Sequence, residues 1–325
     1  MHAIIPVAGM GTRLRPITHT TPKALIPVAG RPVLGHIIDR LIPAGVDRLT
    51  LVVGHLGDAI VSWVRSEFPL DVGFVRQESM DGLASAVALA APRVDDGPTM
   101  VVLGDTLFDA DLRDVARGAC NRLAVCPVDD PSRFGVVVSE GGVAVRLVEK
   151  PAEFVSDLAI VGIYLFRSGL RMIQACSDLI GANQRTRGEF QLTDAMQLMI
   201  DAGERFELFR VDDWLDCGKP ETLLQTNRAM LDRVAGETPP SSSGCIVLPP
   251  SWIDPGAGIA ESVIGPYASI GPGCRIRGSV VRNTIACGRN TVEGSVLDSS
   301  VLGFGASVTS KPASICLGDD SAVSL

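Results

Sequence analysis

The first 32 residues restrict this chain more than any other stretch. An apolar run over residues 3–8 reads as a fully buried strand, and it stops at Gly9-Met10-Gly11, where two glycines let the backbone turn sharply and approach a ligand closely. A buried strand running into a glycine loop suggests a phosphate site in an α/β protein. Arg13 and Lys23 follow, and Pro16, Pro22, Pro27 and Pro32 keep the intervening chain from closing into a helix. Both cations are therefore expected to extend from loop positions toward one site. The pattern completes neither the dinucleotide fingerprint Gly-x-Gly-x-x-Gly nor the Gly-Lys-Ser/Thr ending of a P-loop.

The alternation that follows fixes the fold class. Val33, Ile37, Ile38, Leu41 and Ile42 make a helical stripe that opens after Pro32 and ends before Gly45; residues 49–53 read as a buried strand. Ile60, Val61, Val64 and Phe68 mark a second helix and residues 72–75 another strand, so the order is βαβαβ and a largely parallel sheet is expected. Ligands of such sheets gather at the carboxyl ends of the strands. At the end of the strand over 99–103 stand Gly104 and Asp105, and because Asp111 reads as the cap of the next helix, Asp105 is left for chemistry. Strands are expected over 123–128, 135–138, 143–148 and 160–166, a helix opening at Arg187-Gly188-Glu189-Phe190-Gln191-Leu192-Thr193-Asp194, and a last helix over 221–234. Trp214 reads as core packing, while Asp216, before Cys217-Gly218, is a second isolated carboxylate with no capping duty.

Charge and residue usage narrow the partners. A net charge of −8 argues against a general nucleic-acid binder and for a small-molecule substrate. No apolar run approaches the length of a membrane span, and the N-terminus lacks a basic start with a cleavage site, so a cytoplasmic protein is expected. Eight cysteines without a Cys-x-x-Cys pair read as reduced thiols. Four histidines without metal-ligand spacing make zinc improbable and leave oxygen ligands for any metal.

Residues 236–250, rich in Pro, Ser and Gly, read as a linker between a domain over 1–235 and another over 251–325. Beyond it Ile253, Ile259, Ile264, Ile270 and Ile276 recur every five or six residues, continued less strictly by Val280, Ile285, Val292, Val296, Val301 and Val308. Such hexapeptides resemble a short left-handed parallel β-helix of three to four coils, at roughly 18 residues each. A short solenoid with open ends tends to associate, so a homo-oligomer is expected. Acyl transfer is not, because every His lies before residue 56.

The string Gly9-x-Gly11-Thr12-Arg13-Leu14-x-Pro16, with Thr18 and Pro22-Lys23, resembles the signature of the sugar-1-phosphate nucleotidyltransferases, with motifs most similar to the thymidylyltransferases for glucose 1-phosphate. The resemblance implies a Rossmann-like catalytic domain that joins an NTP to a sugar 1-phosphate and releases pyrophosphate. It implies nucleotide contacts at Ala8, Gly9, Gly11, Thr12, Gln77, Gly82 and Asp105, the spacing of Gln77 and Gly82 matching a reader of thymine or uracil. It places the sugar phosphate at Gly135, Glu149, Lys150, Gly162, Tyr164 and Arg187, Mg²⁺ on Asp105 and Asp216, and the catalytic cations at Arg13, Lys23 and Lys150. The chain departs from the family pattern at Phe134, where a Tyr is common, and at Gln191, where an acid is common. A guanylyltransferase for mannose 1-phosphate, a non-catalytic sugar-nucleotide-binding subunit and a NAD-dependent oxidoreductase are the alternatives. The last lacks its third glycine, and the second could dispense with the cations and carboxylates that this chain keeps.

Overall fold

A computed structural model of the protein describes residues 1–233 and 244–310. Its contacts divide it into two compact units, Met1–Ile26 with Arg31–Thr226, and Pro27–Gly30 with the chain from Asn227 onward. Cys316 and residues 234–243, most of the expected linker, lie outside the described residues.

The first unit is built on a nine-stranded sheet. The elements in chain order are β1 (His2–Val7), α1 (Val33–Leu41), β2 (Arg48–Val53), α2 (Gly57–Glu67), β3 (Asp71–Arg76), α3 (Leu83–Ala88) and β4 (Thr99–Val102). They continue with β5 (Thr106–Asp109), α4 (Leu112–Arg117), β6 (Asn121–Pro127), β7 (Gly135–Glu140), β8 (Val143–Glu149) and β9 (Leu158–Phe166). Last come α5 (Gly169–Gly181), α6 (Leu192–Asp201), β10 (Phe206–Arg210), β11 (Asp213–Asp216) and α7 (Pro220–Arg233), which crosses into the second unit. The sheet order is β3-β2-β1-β4-β9-β6-β10-β8-β7.

Only part of this sheet matches the parallel expectation. β3, β2, β1 and β4 are mutually parallel, as right-handed crossovers through α1 and α2 require. β9 then runs antiparallel to both β4 and β6, and β7 and β8 form an antiparallel pair, so the sheet is mixed. Because β1 lies between β2 and β4 while the chain visits β2 first, the connections leave β1 toward opposite sides and open a crevice at its carboxyl end.

Apolar spacing explains the helices. Val33, Leu34, Ile37, Ile38 and Leu41 of α1 are buried, and Asp111 caps α4 by accepting the Arg113 N–H at 3.0 Å. A core including Phe166, Phe206, Met172, Met196 and Leu123 fills the space between α3, α5, α6 and the sheet, with Phe166 edge-on to Phe206 at 5.9 Å. The expected helix at Arg187 begins only at Leu192; before it, Thr186 and Glu189 pair as a tight hairpin.

In the second unit the strands form parallel ladders. Ile246–Val247, Val263–Ile264, Val280–Val281 and Val296–Leu297 stack in one register, and Gly258–Ala260, Arg275–Arg277, Thr291–Glu293 and Ser307–Thr309 in another. A third runs through Trp252–Ile253, Ser269–Ile270 and Ile285–Ala286. Ile264 faces Val281 and Val281 faces Leu297, a repeat of 17 and then 16 residues rather than 18. Counting by sixes therefore drifts. Val281, Leu297 and Leu302 pack with the core, one position after the expected Val280, Val296 and Val301, and Val296 is 71% exposed; the expected Ile285 is buried, as is Ala286 after it. Serines tie successive passes: the Ser262 hydroxyl accepts the Ser279 N–H, and the Ser279 hydroxyl the Ser295 N–H, each at 3.1 Å.

No helix among the described residues is long and apolar enough to cross a membrane.

Candidate active site

A cavity of about 550 Å³ opens at the carboxyl ends of β1, β3 and β4. Ala8, Gly9, Gly11, Thr12, Arg13 and Lys23 line one side, and Gln77, Gly82 and Asp105 complete the set expected for a nucleotide.

The glycine loop is held by its own hydrogen bonds. The Gly11 carbonyl accepts the Thr18 hydroxyl at 2.8 Å and the Leu14 N–H at 2.9 Å, so the chain folds back on itself directly after β1. Gly11 has φ 61, and a Cβ there would lie 2.9 Å from Thr18 Cγ2, so both conformation and space demand glycine. The prolines do not leave the segment fully extended. It forms three single 3-10 turns, Thr12–Leu14, Ile17–His19 and Lys23–Leu25, which carry Arg13 and Lys23.

Two carboxylates and two cations converge beside the loop. Lys23 Nζ donates to Asp105 Oδ2 at 2.6 Å, and the Lys23 side chain is only 12% exposed. β5 pairs with β11 so that Asp216 stands opposite Thr106, and the Cys217 N–H donates to the Asp105 carbonyl at 3.2 Å. That short ladder holds the backbone of Asp105 against the segment that carries Asp216. A Cβ on Gly218 would lie 2.8 Å from Asp216 Oδ1 and 2.9 Å from Arg13 Nη2, so the absence of a side chain lets Arg13 approach Asp216. Asp216 is not without local duty: its Oδ1 accepts the Gly218 N–H at 2.9 Å and its Oδ2 the Thr222 hydroxyl at 3.2 Å, fastening it to the start of α7. Neighbouring Cys217 is buried and its thiol is pushed up to about 12 by desolvation, so it is an inert packing group.

At the other end Gln77 is 6% exposed, its Nε2 lying 3.5 Å from the Gly82 carbonyl. Gly82 has φ 116, and a Cβ on it would strike the Phe190 backbone at 2.4 Å. The glycine thus lets the segment before α3 run against residue 190.

The residues expected around the sugar phosphate form a second group outside the cavity lining. Glu149 Oε2 accepts the Thr193 hydroxyl at 2.7 Å, and Glu149 Oε1 lies 3.3 Å from Lys150 Nζ. A Cβ on Gly135 would lie 2.9 Å from both Glu149 Oε2 and Thr193 Oγ1. Arg187 Nη2 donates to the Lys150 carbonyl at 2.8 Å, and Lys150 donates its own N–H to Phe134 at 2.9 Å. Gly162, with φ 78, packs against Leu103, a lining residue. Tyr164 is 4% exposed in the core, stacked near Phe166 at 6.4 Å, and burial raises the pKa of its hydroxyl. It stands close enough to Glu149 for that charge to act on the hydroxyl as well.

Glu189 and Met80 line the cavity and were not singled out from sequence. The signal for Glu189 was the preceding Arg187-Gly188, where φ values of 54 and 86 make the hairpin turn that projects it. Gln191, 7% exposed, donates to Glu189 Oε2 at 2.9 Å, which orients that carboxylate.

Among the described residues no three His, Cys, Asp or Glu side chains gather as a metal cluster. The pair Asp105 and Asp216 nevertheless fits Mg²⁺, a hard cation that keeps several waters and takes one or two carboxylates together with phosphate oxygens.

A family model described as nucleotidyl transferase matches residues 2–233. A glucose-1-phosphate thymidylyltransferase of Streptomyces antibioticus is 31% identical over 339 residues, which cover 95% of this chain and 94% of that protein. A UTP–glucose-1-phosphate uridylyltransferase of Haloferax volcanii is 33% identical over 231 residues, 68% of this chain and 93% of that protein. The crystal structure of a UDP-glucose pyrophosphorylase complexed with UDP-glucose matches with a TM-score of 0.61 at 25% identity, covering 71% of this chain and 98% of that one. With the glycine loop, its two cations and the paired carboxylates, these likenesses establish that the chain belongs to the nucleotidyl transferase family.

Proposed function

We propose that this protein transfers a nucleotidyl group from dTTP or UTP to glucose 1-phosphate, giving the nucleotide sugar and pyrophosphate. The observation that carries the reading is one cavity with Arg13, Lys23 and Asp105 at the glycine loop and Gln77 with Gly82 across from them. A sugar phosphate oxygen attacks the α-phosphorus in line, a new P–O bond forms, and the bond to the bridging oxygen of the departing pyrophosphate breaks. That nucleophile is already ionised at neutral pH, so no general base is needed; positioning and charge neutralisation supply the rate.

Lys23 holds the α-phosphate, Arg13 stabilises the pyrophosphate as it leaves, and Lys150 with Arg187 orients the sugar phosphate. Asp105 and Asp216 would hold Mg²⁺, which when bound adds positive charge against the triphosphate oxygens. Gln77 offers a donor and an acceptor to the N3–H and a carbonyl of a pyrimidine. A purine would leave that buried amide mispaired at a cost of about 1 to 3 kcal/mol, or roughly tenfold to a hundredfold in kcat/KM.

The second unit is proposed to be a left-handed β-helix of hexapeptide type, serving assembly into a homo-oligomer rather than chemistry. Its parallel ladders support that reading. The functional reading is tested by kcat/KM for dTTP, UTP, ATP and GTP with glucose 1-phosphate, in wild type and in Gln77→Ala. Pyrimidine preference that collapses in Gln77→Ala is expected; a purine preference in wild type would refute the base assignment.

A further inference from the structure

The hairpin between α5 and α6 carries two arginines that reach in different directions. Arg185 lies 3.6 Å from the Asp81 carboxylate, its guanidinium sits 3.9 Å over the Phe190 ring, and its Nη1 donates to the Gly188 carbonyl at 3.0 Å. Arg187, two residues on, donates to the Lys150 carbonyl at 2.8 Å. The hairpin is closed by reciprocal hydrogen bonds of 3.0 and 3.2 Å between Thr186 and Glu189. Its far end is tied to the nucleotide-reading segment as well: Phe190 donates its N–H to the Asp81 carbonyl at 2.7 Å, and Ala84 donates to Phe190 at 2.9 Å.

Asp81 belongs to the segment that holds Gln77 and Gly82, whereas Lys150 stands with Glu149 beside Gly135 and Thr193. Lys150 has φ 43, a left-handed conformation that a lysine adopts only when its surroundings hold it there. One short hairpin is thus fastened on one side to the nucleotide loop and on the other to the backbone of the strained lysine.

We propose that this hairpin couples the two substrate subsites, with Arg185 as the positioning residue. A nucleotide seated against Gln77 and Gly82 orders residues 77–82; Asp81 fixes Arg185; the ordered hairpin presents Arg187 to Lys150 and so tightens binding of the sugar 1-phosphate. The proposal rests on the substrate reading given above. Coupling of this kind is reciprocal, so each substrate tightens the other by the same factor.

Hydrogen exchange on the full-length chain tests it, with dTTP and UTP as separate probes and no sugar phosphate present. In wild type the nucleotide slows exchange over residues 8–13 and 77–84, and also over 149–150 and 186–190. In Arg185→Met the first two segments remain protected and the last two exchange as in the free protein, while Arg185→Lys, which keeps the charge without the flat stacking surface, restores part of the effect. In turnover Arg185→Met raises KM for glucose 1-phosphate about 5- to 30-fold at saturating nucleotide and changes kcat by less than about twofold. Asp81→Asn added to Arg185→Met does no further harm. Nucleotide-induced protection of 149–150 that survives in Arg185→Met, or independent effects of the two substitutions, would overturn the proposal. Absence of protection at 8–13 in wild type would overturn the nucleotide reading itself, so the two failures are read in different peptides.

Discussion

Left-handed backbone residues are used differently in the two units. In the second unit most of them recur with the ladders: Glu261, Gly278 and Gly294 at one corner, Tyr267, Asn283 and Ser299 at the next, Gly273, Arg289 and Gly305 at the third, while Ala29, Gly30, Gly265 and Gly288 stand outside these columns. Successive members of a column stand 16 or 17 residues apart, whether or not they are glycine. In the first unit the non-glycine residues of this kind are Leu56, Lys150, Asn183 and Arg187. Leu56 precedes α2 and Asn183 follows α5, whereas Lys150 and Arg187 stand at no helix end and are joined to each other by a hydrogen bond. A periodic left-handed residue turns a corner that every pass must turn. An aperiodic one turns a single hairpin, as Arg187 and Ala29 do, or, like Lys150, holds strain beside a candidate site.

If that division holds, the largest effects on catalysis come from the aperiodic loops. Asp105→Asn keeps the side chain's size but removes the charge that Lys23 and a metal share, so kcat/KM should fall by about 10² to 10³ with little change in Tm. Excess EDTA should abolish turnover in wild type. Steady-state pyrophosphate release and a thermal scan check both; wild-type rates in either case would remove the carboxylate pair from the mechanism.

The converse applies to the ladders. Ile276, 1% exposed, sits in a column between Ile259 and Val292. Ile276→Ala should cost about 2 to 5 kcal/mol of stability while leaving kcat/KM within about twofold at temperatures where the chain is folded. Denaturant unfolding beside activity decides it, and a large kinetic loss without a stability loss would blur the division between the two units.

A smaller effect separates the units by pH. His2 is 1% exposed; burial first, then the charges of Arg48 and Arg93, hold its imidazole down to about 4. The unfolded chain takes up the proton near pH 6.5 and the folded chain does not until about pH 4, so stability falls as pH falls through that window. Between pH 7 and pH 5 the loss from this one group is about 2 kcal/mol. His2→Gln should flatten that part of the stability profile of the first unit, measured by urea unfolding at each pH; an unchanged slope would assign the acid sensitivity elsewhere.

Several of these features could be read before any coordinates, for identifiable reasons. The strand, the glycine loop, Arg13, Lys23 and Asp105 are legible because loop chemistry is local: the residues that bend the chain are the residues that stand at the site. The antiparallel half of the sheet was not, since runs such as residues 160–166 are buried on both faces and carry no mark of direction. The register shift of β9 between Ile160 and Tyr164, around left-handed Gly162, was not legible either, because a bulge of this kind leaves no mark in an apolar run. Val280 and Val296 failed for a related reason, a repeat shorter than three full hexads. Glu189 was hidden by reading its segment as the start of a helix, when two residues with positive φ made it a hairpin.

The most direct test of the division is one substitution made at both kinds of place. Arg187→Gly and Arg289→Gly each keep a backbone that accepts positive φ and remove only the side chain, from φ 54 and φ 53 respectively. Measured side by side with glucose 1-phosphate and dTTP, Arg187→Gly should lose about 10- to 100-fold in kcat/KM, the worth of a charged hydrogen bond, with Tm nearly unchanged. Arg289→Gly should keep kcat/KM and hold or raise stability by up to about 1 kcal/mol. Equal kinetic losses in the two variants, or full activity in Arg187→Gly, would contradict the account.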